Sequence, residues 1–293
     1  MKTIRSLYLA LGIIICFVLL MVSCQKELGN RAPAGEQRVK IYLMDDPVPY
    51  GAVNVDIQQV IVQVIPDSCL GRHEDDEDWD EDHDDWCNDN EYRCSVWDTL
   101  NIRAGVYNLL NLSNGVDTIL ANGFTISGRI NRIKLVIGNN NSVVIDNVSY
   151  PLTLWDNIHT VNVAVKGADV DHITPGDLQV WLDFDAGASI VKVSDNHFVL
   201  KPYIKLFIPA QTASIQGKVL PSMAKAIVAA IANGDTLVAI PHDDGYFKIR
   251  GLKGSSADLF INATANGYMD STLTGIPLTK GKETDVGIIQ LHQ

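Results

Sequence analysis

The chain has 293 residues, of which 46% are hydrophobic, and it carries 35 acidic against 23 basic side chains. This length is enough for two modest domains with hydrophobic cores. The formal net charge of −12 argues against the basic surface that binds nucleic acid, so no nucleic-acid partner is expected.

The first residues have the pattern of a bacterial lipoprotein signal peptide. Lys2 and Arg5 precede an apolar stretch over residues 7–22, and Ser23 stands directly before Cys24. This stretch of about 16 residues is shorter than the roughly 20 that a membrane-spanning helix needs. We therefore predict that residues 1–23 are removed, that Cys24 carries a lipid, and that the protein is anchored in a Gram-negative outer membrane.

A polar tether is predicted over residues 24–37, which include Gly29, Pro33 and Gly35. Its start, Cys24-Gln25-Lys26-Glu27, resembles the surface-export signal that follows the lipid cysteine in some Gram-negative lineages, although Leu28 departs from that pattern. The tether therefore favours a surface-exposed protein.

An acidic insert follows at residues 69–94. Residues 74–91 hold twelve carboxylates, without which the chain has equal numbers of acidic and basic side chains. Cys69, Cys87 and Cys94 lie at or near its ends, and disulfides persist in exported proteins. One disulfide and one free thiol are expected. Pairing of Cys69 with Cys94 is favoured because these two lie where strand-like sequence stops and resumes, and the other two pairings stay open.

The insert is also the strongest candidate for ligand binding. Calcium takes six to eight hard oxygen ligands, and alternating carboxylates could provide them at Asp76, Asp78, Asp80, Asp82 and Asp84. The pattern is not an EF-hand, since Glu81 stands where glycine is needed. Two alternatives stay open, a solvated segment with loosely associated cations and a zinc site formed by Cys69, His73, His83 and Cys87.

Aromatic residues accompany these carboxylates. Trp79 and Trp86 are candidates for stacking on the rings of a glycan ligand, while neighbouring acids accept hydrogen bonds from its hydroxyl groups. Trp97 is predicted instead to begin a strand and to pack in the core.

From Val39 onward the hydrophobic period is two, which is typical of strands. The run over residues 53–64 changes phase at Gln58-Gln59, and this slip predicts a β-bulge. Similar runs at 133–137, 161–165 and 204–208 are separated by turn residues. Residues 116–121 are the best short helix candidate. The prediction is an all-β fold, an antiparallel β-sandwich or barrel.

A domain boundary is predicted near residues 209–212. Short strands are expected beyond it at 214–220, 226–231, 236–240, 246–250 and 259–265. Residues 224–232 are rich in alanine, but β-branched Ile227, Val228 and Ile231 favour a strand over a helix. The predicted domains are therefore 38–208 and 212–293.

Several motifs of the first domain carry a family resemblance. They include Leu182-Asp183-Phe184-Asp185, then Ser189-Ile190-Val191, and then Leu200-Lys201-Pro202. With them, residues 38–208 resemble the bacterial lipoprotein domain-of-unknown-function family 4382, departing from its pattern at Met44 and in the length of the acidic insert. The resemblance implies a lipoprotein and no established activity.

The second domain resembles the carboxypeptidase-regulatory-like domain. The motifs are Ile215-Gln216-Gly217-Lys218-Val219, the turn Asp243-Asp244-Gly245 before Tyr246-Phe247, and Gly267-Tyr268. The resemblance implies a small transthyretin-like β-sandwich with a carbohydrate-binding-like fold that supports or spaces another domain. Carbohydrate binding follows only by analogy.

Catalytic motifs are not found. Asp183 and Asp185 share one strand face with Trp181; paired carboxylates serve glycosidases, but neighbours on one strand usually point to solvent, so a structural role or cation contact is predicted. No zinc-protease, nucleophile-elbow or phosphate-loop motif occurs, and residues 242–245 are interpreted as a turn. The protein is therefore not expected to be an enzyme.

These observations predict a lipid-anchored, two-domain, all-β protein. It would be a non-catalytic binding module that takes a carbohydrate ligand while calcium orders the acidic insert. The alternative is a structural or adhesin component of the envelope with protein partners.

Overall fold

The computed structural model describes residues 32–70, 94–165 and 177–293. Residues 36–293 form one compact unit. In the described residues this unit contains twenty strands, two four-residue α-helices at Asp67–Leu70 and Ala186–Ser189, and five short 3-10 turns at Leu109–Leu112, Trp155–Asn157, Pro209–Gln211, Ser222–Ala224 and Thr264–Asn266. The all-β prediction is confirmed.

The strands divide into an earlier group and a later group, which we call the first region (residues 36–208) and the second region (residues 213–293). Those of the first region are β1 (Glu36–Met44), β2 (Ala52–Pro66), β3 (Val96–Leu100), β4 (Gly105–Asn108), β5 (Thr118–Ile126), β6 (Gly128–Ile137), β7 (Ser142–Ile145), β8 (Val148–Leu154), β9 (Thr160–Ala164), β10 (Asp177–Phe184), β11 (Ile190–Ser194), β12 (His197–Leu200) and β13 (Ile204–Phe207). Those of the second region are β14 (Ala213–Leu220), β15 (Ile227–Ala232), β16 (Asp235–Ala239), β17 (Tyr246–Leu252), β18 (Ser256–Asn262), β19 (Ser271–Pro277) and β20 (Glu283–Gln290).

Strand β2 organises the first region. Its fully buried apolar residues include Val53, Val55 and Ile57 before the slip and Val60, Val62 and Val64 after it. The strand pairs with β3, β4, β6 and β7 along its length. The register against β6 shifts between Ile57 and Gln59, which confirms the predicted bulge. Because Gln58 and Gln59 are both exposed there, the apolar side chains return to the core on the other side of the slip.

The first region has two sheets joined by one hydrophobic cluster. The strand orders are β13-β10-β1-β5 and β11-β12-β8-β7-β2-β6-β9, and the cluster contains alternate residues of β1 such as Val39, Ile41 and Leu43. Strands β1 and β10 run parallel, with Met44 opposite Asp183. The carboxyl ends of these two strands therefore meet at the same edge of the sheet.

The second region has a separate hydrophobic cluster between sheets of order β17-β14-β20 and β16-β15-β18-β19. Most strand pairs in the molecule are antiparallel. Three pairs of described strands are parallel, namely β1 with β10, β8 with β12, and β14 with β20, so three of the four sheets are mixed. The chain passes between the regions through the 3-10 turn Pro209–Gln211. The predicted domain bounds stay a prediction, since residues 36–293 are one compact unit by contacts.

Three local predictions differ in outcome. The helix predicted over 116–121 is wrong, because residues 118–126 form β5 and pair with β1. Residues 227–232 form β15 as expected. Trp97 does lie near the start of a strand, but its side chain is 40% exposed and lies beneath the Lys134 ammonium, 4.0 Å from its ring centre, so its predicted core position is wrong.

Candidate functional site

The acidic insert leaves and rejoins the fold at a disulfide. Cys69 is bonded to Cys94, with 6.4 Å between their Cα atoms, and β2 pairs with β3 immediately beside it through Val64 and Val96. The favoured pairing is thus confirmed. Because Cys69 is oxidised, it cannot be a thiolate ligand, and the zinc site built on all four predicted ligands is wrong.

Most of the predicted site residues lie outside the described residues. These are the lipid-bearing Cys24, the candidate calcium ligands Asp76, Asp78, Asp80, Asp82 and Asp84, and the candidate glycan contacts Trp79 and Trp86. Within the described ranges, no group of three or more histidine, cysteine or acidic side chains is arranged to hold a metal ion. The same ranges contain no helix long and apolar enough to cross a membrane.

A cluster of carboxylates occupies the shared edge of β1 and β10. Asp45 and Asp46 directly follow β1, Asp183 is the next-to-last residue of β10, and Asp185 follows that strand. Lys205 on β13 is the register partner of Asp183. The parallel pairing of β1 and β10 therefore brings four acids together around one lysine, and we call these five residues the carboxylate cluster.

Asp45 is the most deeply buried member. It is 1% exposed, its Oδ1 accepts a hydrogen bond of 3.0 Å from the backbone N–H of Ala186, and its Oδ2 has no partner among the described residues. Burial raises the pKa of Asp45 to about 9, although the hydrogen bond from Ala186 acts in the other direction. Asp45 is therefore a protonated acid at neutral pH.

Asp183, for which the sequence predicts a structural role or a cation contact, is buried, although neighbouring acids on one strand usually point to solvent. It is 4% exposed, and its Oδ1 has no hydrogen-bond partner in the part of the chain that is described. Burial, reinforced by the charge of Asp46, raises the pKa of Asp183 to about 8. The pKa of Asp46 rises to about 6, again mainly through burial.

Lys205 neutralises only part of this negative charge. Its Nζ lies 3.8 Å from Oδ2 of Asp185 and 4.0 Å from Oδ2 of Asp46, beyond hydrogen-bonding distance. Burial disfavours the charged form of Lys205, but the surrounding carboxylates outweigh burial and raise its pKa. Asp185 has a second task, since its Oδ1 accepts a hydrogen bond of 2.8 Å from Ala188 and caps the short helix.

The second region covers this face of the first. A cavity of about 620 Å³ lies between them, lined by Asp183, Tyr203 and Lys205 on one side and by Asn233, Asp235 and Lys253 on the other. Asp235 interacts electrostatically with Asp46, Asp183 and Lys205. The cluster therefore faces a cleft between the two regions.

Polar contacts beside this cleft fix the two regions to each other, and we call them the seam. Asp117 accepts a hydrogen bond of 3.0 Å from Trp181 Nε1 and is paired with Arg250 of β17. The Asn114 side chain bonds the backbone of β17 in both directions, donating to Tyr246 O (3.0 Å) and accepting from Lys248 N (2.8 Å). The Asn114 side chain therefore makes the two backbone hydrogen bonds with β17 that a neighbouring strand would otherwise make.

Sequence reasoning found Asp183 and Asp185 but missed Asp45, Asp46 and Lys205. The available signal was Asp45-Asp46-Pro47 directly after the apolar strand β1. Two acids at the end of a buried strand are expected to lie at a sheet edge. Their meeting with Asp183 depends on the parallel pairing, which no local pattern indicates.

A model of one protein family matches residues 36–202 of this chain. The family is described as a domain of unknown function, DUF4382, and the match covers more than half of the sequence. The chain belongs to the DUF4382 family. The carboxypeptidase-regulatory-like resemblance of the second region has no corresponding match and stays a prediction. No curated protein matches the sequence significantly.

Bacterial pilus proteins are among the solved structures to which this chain is similar. The shaft pilin SpaA of Lactobacillus rhamnosus GG, as its D295N mutant, is 10% identical, with 87% of this chain and 98% of that chain covered and a TM-score of 0.23. The minor pilin GBS52 of Streptococcus agalactiae is 11% identical over 86% and 94%, with a TM-score of 0.21. The fimbrial anchor protein Mfa2 of Porphyromonas gingivalis is 10% identical over 81% and 83%, with a TM-score of 0.17. Likenesses at these TM-scores carry no argument about this chain.

Proposed function

We propose that this DUF4382 protein is a non-catalytic binding module of the cell envelope, in which the acidic insert is the binding segment. A lipid on Cys24 holds it to the outer membrane with the β-domains facing outward. The way in which the two ends of the insert are held supports its role as a segment presented to a ligand. The Cys69–Cys94 disulfide and the β2–β3 pairing hold both ends of the insert together on a rigid sheet.

Calcium is the cation proposed to order the insert. Twelve carboxylates within residues 74–91 repel one another, and a divalent cation with hard oxygen ligands relieves that repulsion. Asp76, Asp78, Asp80, Asp82 and Asp84 are the proposed ligands. With calcium bound, Trp79 and Trp86 would be presented for stacking on the rings of a glycan.

The second region is proposed to be an accessory carboxypeptidase-regulatory-like sandwich. The seam through Asn114 and Asp117 supports a role as a rigid support, because it fixes β17 to the first region. Such a support would keep the first region, which carries the base of the insert, fixed against the second region.

Deletion of residues 72–91 tests this function directly. The variant keeps Cys69 and Cys94, and therefore the disulfide. We expect isothermal titration calorimetry to show calcium binding by the intact protein and none by the variant. We expect glycan-array hits in calcium that disappear in EDTA and in the variant. A Cys87→Ser variant, which leaves the disulfide and the acids unchanged, is the control and should behave as the intact protein does. Calcium affinity that survives the deletion would contradict the proposal.

A structural or assembly role in the envelope is the second candidate function. The rigid seam favours it, since a component that transmits force or sets spacing needs regions that do not move against each other. The two functions separate in the same deletion. A structural role predicts that removing residues 72–91 leaves envelope cross-links and assembly unchanged, while Arg250→Ala, which removes the Asp117–Arg250 pair of the seam, weakens them.

A further inference from the structure

The cleft between the two regions has the size and position of a small-molecule site. Its volume is about 620 Å³, and ligand sites of about 300–1,000 Å³ commonly lie between domains. Asp183 is buried, so the exposed side chains of the two walls determine what the cleft can bind. The described lining residues all lie outside the acidic insert, so a site here goes beyond the proposed function and does not depend on it.

An exposed aromatic ring stands on the wall that the first region contributes. Tyr203 lines the cleft and is 51% exposed. Its backbone is held on two sides, because its N–H donates to Ser189 Oγ over 2.8 Å and its C=O accepts from the Asp185 N–H over 3.1 Å. The ring therefore offers an apolar surface at a fixed place in the cavity.

Side-chain amides occur on both walls of the cleft. Asn162 lies on β9 of the first region, and Asn233 lies between β15 and β16 of the second region. Both residues are exposed, so a ligand in the cleft can reach their side chains. An amide both donates and accepts hydrogen bonds, as a hydroxyl group does. Two amides that line one cavity therefore match a ligand with several hydroxyl groups.

The turn that carries Asn233 fixes the position of this residue. Asn233 and Gly234 have φ angles of 51° and 78°, and a two-residue Asn-Gly hairpin turn requires positive φ at both positions. Gly254 lies against the same turn, since a Cβ built on it would be 3.5 Å from the Cβ of Asn233. Because the backbone sets this geometry, a glycine at position 233 removes the amide and keeps the turn.

The charges around the cleft nearly offset one another. The cations that line it are Lys205, Arg250 and Lys253. The carboxylates near them are Asp46 and Asp185 beside Lys205, Asp117 paired with Arg250, and Asp235 in the lining. Asp183 adds little charge, because burial raises its pKa to about 8 and it is mostly protonated at pH 7. Three cations against four carboxylates favour a neutral ligand over a charged one.

We propose that this cleft binds a neutral sugar ring, with Tyr203 as the stacking surface and the amides of Asn162 and Asn233 as partners of its hydroxyl groups. A pyranose suits both features, because it has a face of C–H groups and a rim of hydroxyls. An acyclic polyol has the hydroxyls without the apolar face. A ring of about twelve non-hydrogen atoms binds with millimolar affinity at ordinary ligand efficiency.

Saturation-transfer NMR of the intact protein tests the proposal, because it detects millimolar binding in solution. The probes are the methyl α-pyranosides of glucose, mannose and galactose, and the control is the acyclic polyol sorbitol. We expect transfer to the ring protons of at least one pyranoside and none to sorbitol. Glucosamine and glucuronate, which carry a charge on the same ring, should bind no more tightly than the neutral pyranosides. Equal transfer to sorbitol, tighter binding of a charged ring, or no transfer to any pyranoside at about 10 mM would overturn the proposal.

Two variants with matched controls place the binding in the cleft. Tyr203→Ala should weaken pyranoside binding about tenfold, while Trp155→Ala removes a ring that is 47% exposed outside the described lining and should change nothing. Asn233→Gly should weaken binding severalfold. Asn147→Gly makes the same change at an exposed position with a φ of 64° in the β7–β8 turn and should leave binding unchanged. Unchanged binding by Tyr203→Ala or by Asn233→Gly would overturn the proposal.

The cleft and the acidic insert are separated by the same measurement. Deletion of residues 72–91 and addition of EDTA should both leave pyranoside binding in solution unchanged. Millimolar binding of one ring is lost in the washing of a glycan array, so the array reports on the insert. Pyranoside binding that disappears in the deletion variant or in EDTA would overturn the cleft as its location, whereas calcium calorimetry decides on the insert.

Discussion

The two regions of the molecule are built on different principles. Among the described residues of the first region, eight buried side chains are polar, namely Asp45, Asp56, Gln63, Asn114, Thr125, Asn141, Asp183 and Ser189. In residues 213–293 the buried side chains are all apolar, and many are alanine, as at Ala230, Ala239 and Ala257. Burial of apolar side chains stabilises the folded protein. Buried carboxylates lower stability, so a region that retains them is the place to look for chemistry.

The comparison also concerns how independent the two regions are. They have separate hydrophobic clusters, yet the polar seam joins them. All five tryptophans lie in the sequence before residue 182, and Trp181 also contacts Asp117 of the seam. Tryptophan fluorescence therefore reports on the first region and the seam, while far-UV circular dichroism reports on both regions. This difference allows the regions to be followed separately during unfolding.

The largest effect is expected from removing a core aromatic side chain. Phe184 in the first region and Phe247 in the second are both fully buried, and Phe→Ala in a core costs about 3–5 kcal/mol. We expect Phe247→Ala to shift the urea midpoint seen by tryptophan fluorescence as much as the one seen by circular dichroism, because the seam makes unfolding cooperative. Two separate transitions, with the fluorescence midpoint unchanged, would show that the regions unfold independently. Phe184→Ala is the matched variant and should move both signals.

The disulfide should stabilise the first region by a similar amount. Cys69 and Cys94 are 25 residues apart in sequence, and closing a loop of that order stabilises a protein by about 3 kcal/mol. We expect the double variant Cys69→Ser, Cys94→Ser to lose this stability in urea denaturation, and a reductant to produce the same loss in the intact protein. Cys87→Ser is the control and should leave the midpoint where it was. A double variant as stable as the intact protein would mean that the base of the insert is held by β2–β3 pairing alone.

The seam ranks third in expected effect. Arg250→Ala leaves Asp117 without its charged partner at a half-buried place, and hydrogen bonds to charged groups contribute about 1.5–3 kcal/mol. We expect a loss of about 2 kcal/mol and a smaller coupling between the fluorescence and circular dichroism transitions. The exposed pair Lys218–Asp244 in the same region provides the comparison, and Lys218→Ala should leave the urea midpoint unchanged. Equal losses of stability in the two variants would show that the seam is not the cause of cooperative unfolding.

The sequence predicts a strand correctly where its local hydrophobic pattern matches the burial of the side chains in the folded protein. The alternation of β2 and its slip at Gln58 and Gln59 gave both the strand and the bulge, because the apolar side chains themselves define the buried face. Residues 116–121 failed because their pairing partner is β1, more than 70 residues earlier, and tertiary pairing overrides weak helical propensity. Strand β20 was not predicted, since most of its residues are exposed and the sequence has no clear alternation there.

The carboxylate cluster shows a different reason for failure. Neighbouring acids on one face of a strand usually point to solvent, and Asp183 is an exception because it is buried. The face is instead covered by residues 232–253 of the second region. Asp183 therefore lies where the two regions meet, and a local sequence pattern does not indicate such a position.

Per pH unit, the smallest expected effect is a dependence of stability on pH that belongs to the first region only. Asp45 and Asp183 have pKa values of about 9 and about 8 in the folded protein against 3.8 for an ordinary aspartate. The folded protein therefore binds more protons than the unfolded chain between about pH 4 and pH 8, and the free energy of unfolding falls as the pH rises through this window. One such proton contributes at most about 1.4 kcal/mol per pH unit, so we expect the free energy of unfolding to fall with a slope of about this size between pH 5 and pH 8. Asp45→Asn and Asp183→Asn remove the ionisation and should each flatten the profile, while Asp195→Asn at an exposed position should not. A profile that rises over the same window would mean that Lys205 and not burial controls the cluster, and the contrast between a polar first region and an apolar second region would then reflect stabilising ion pairs.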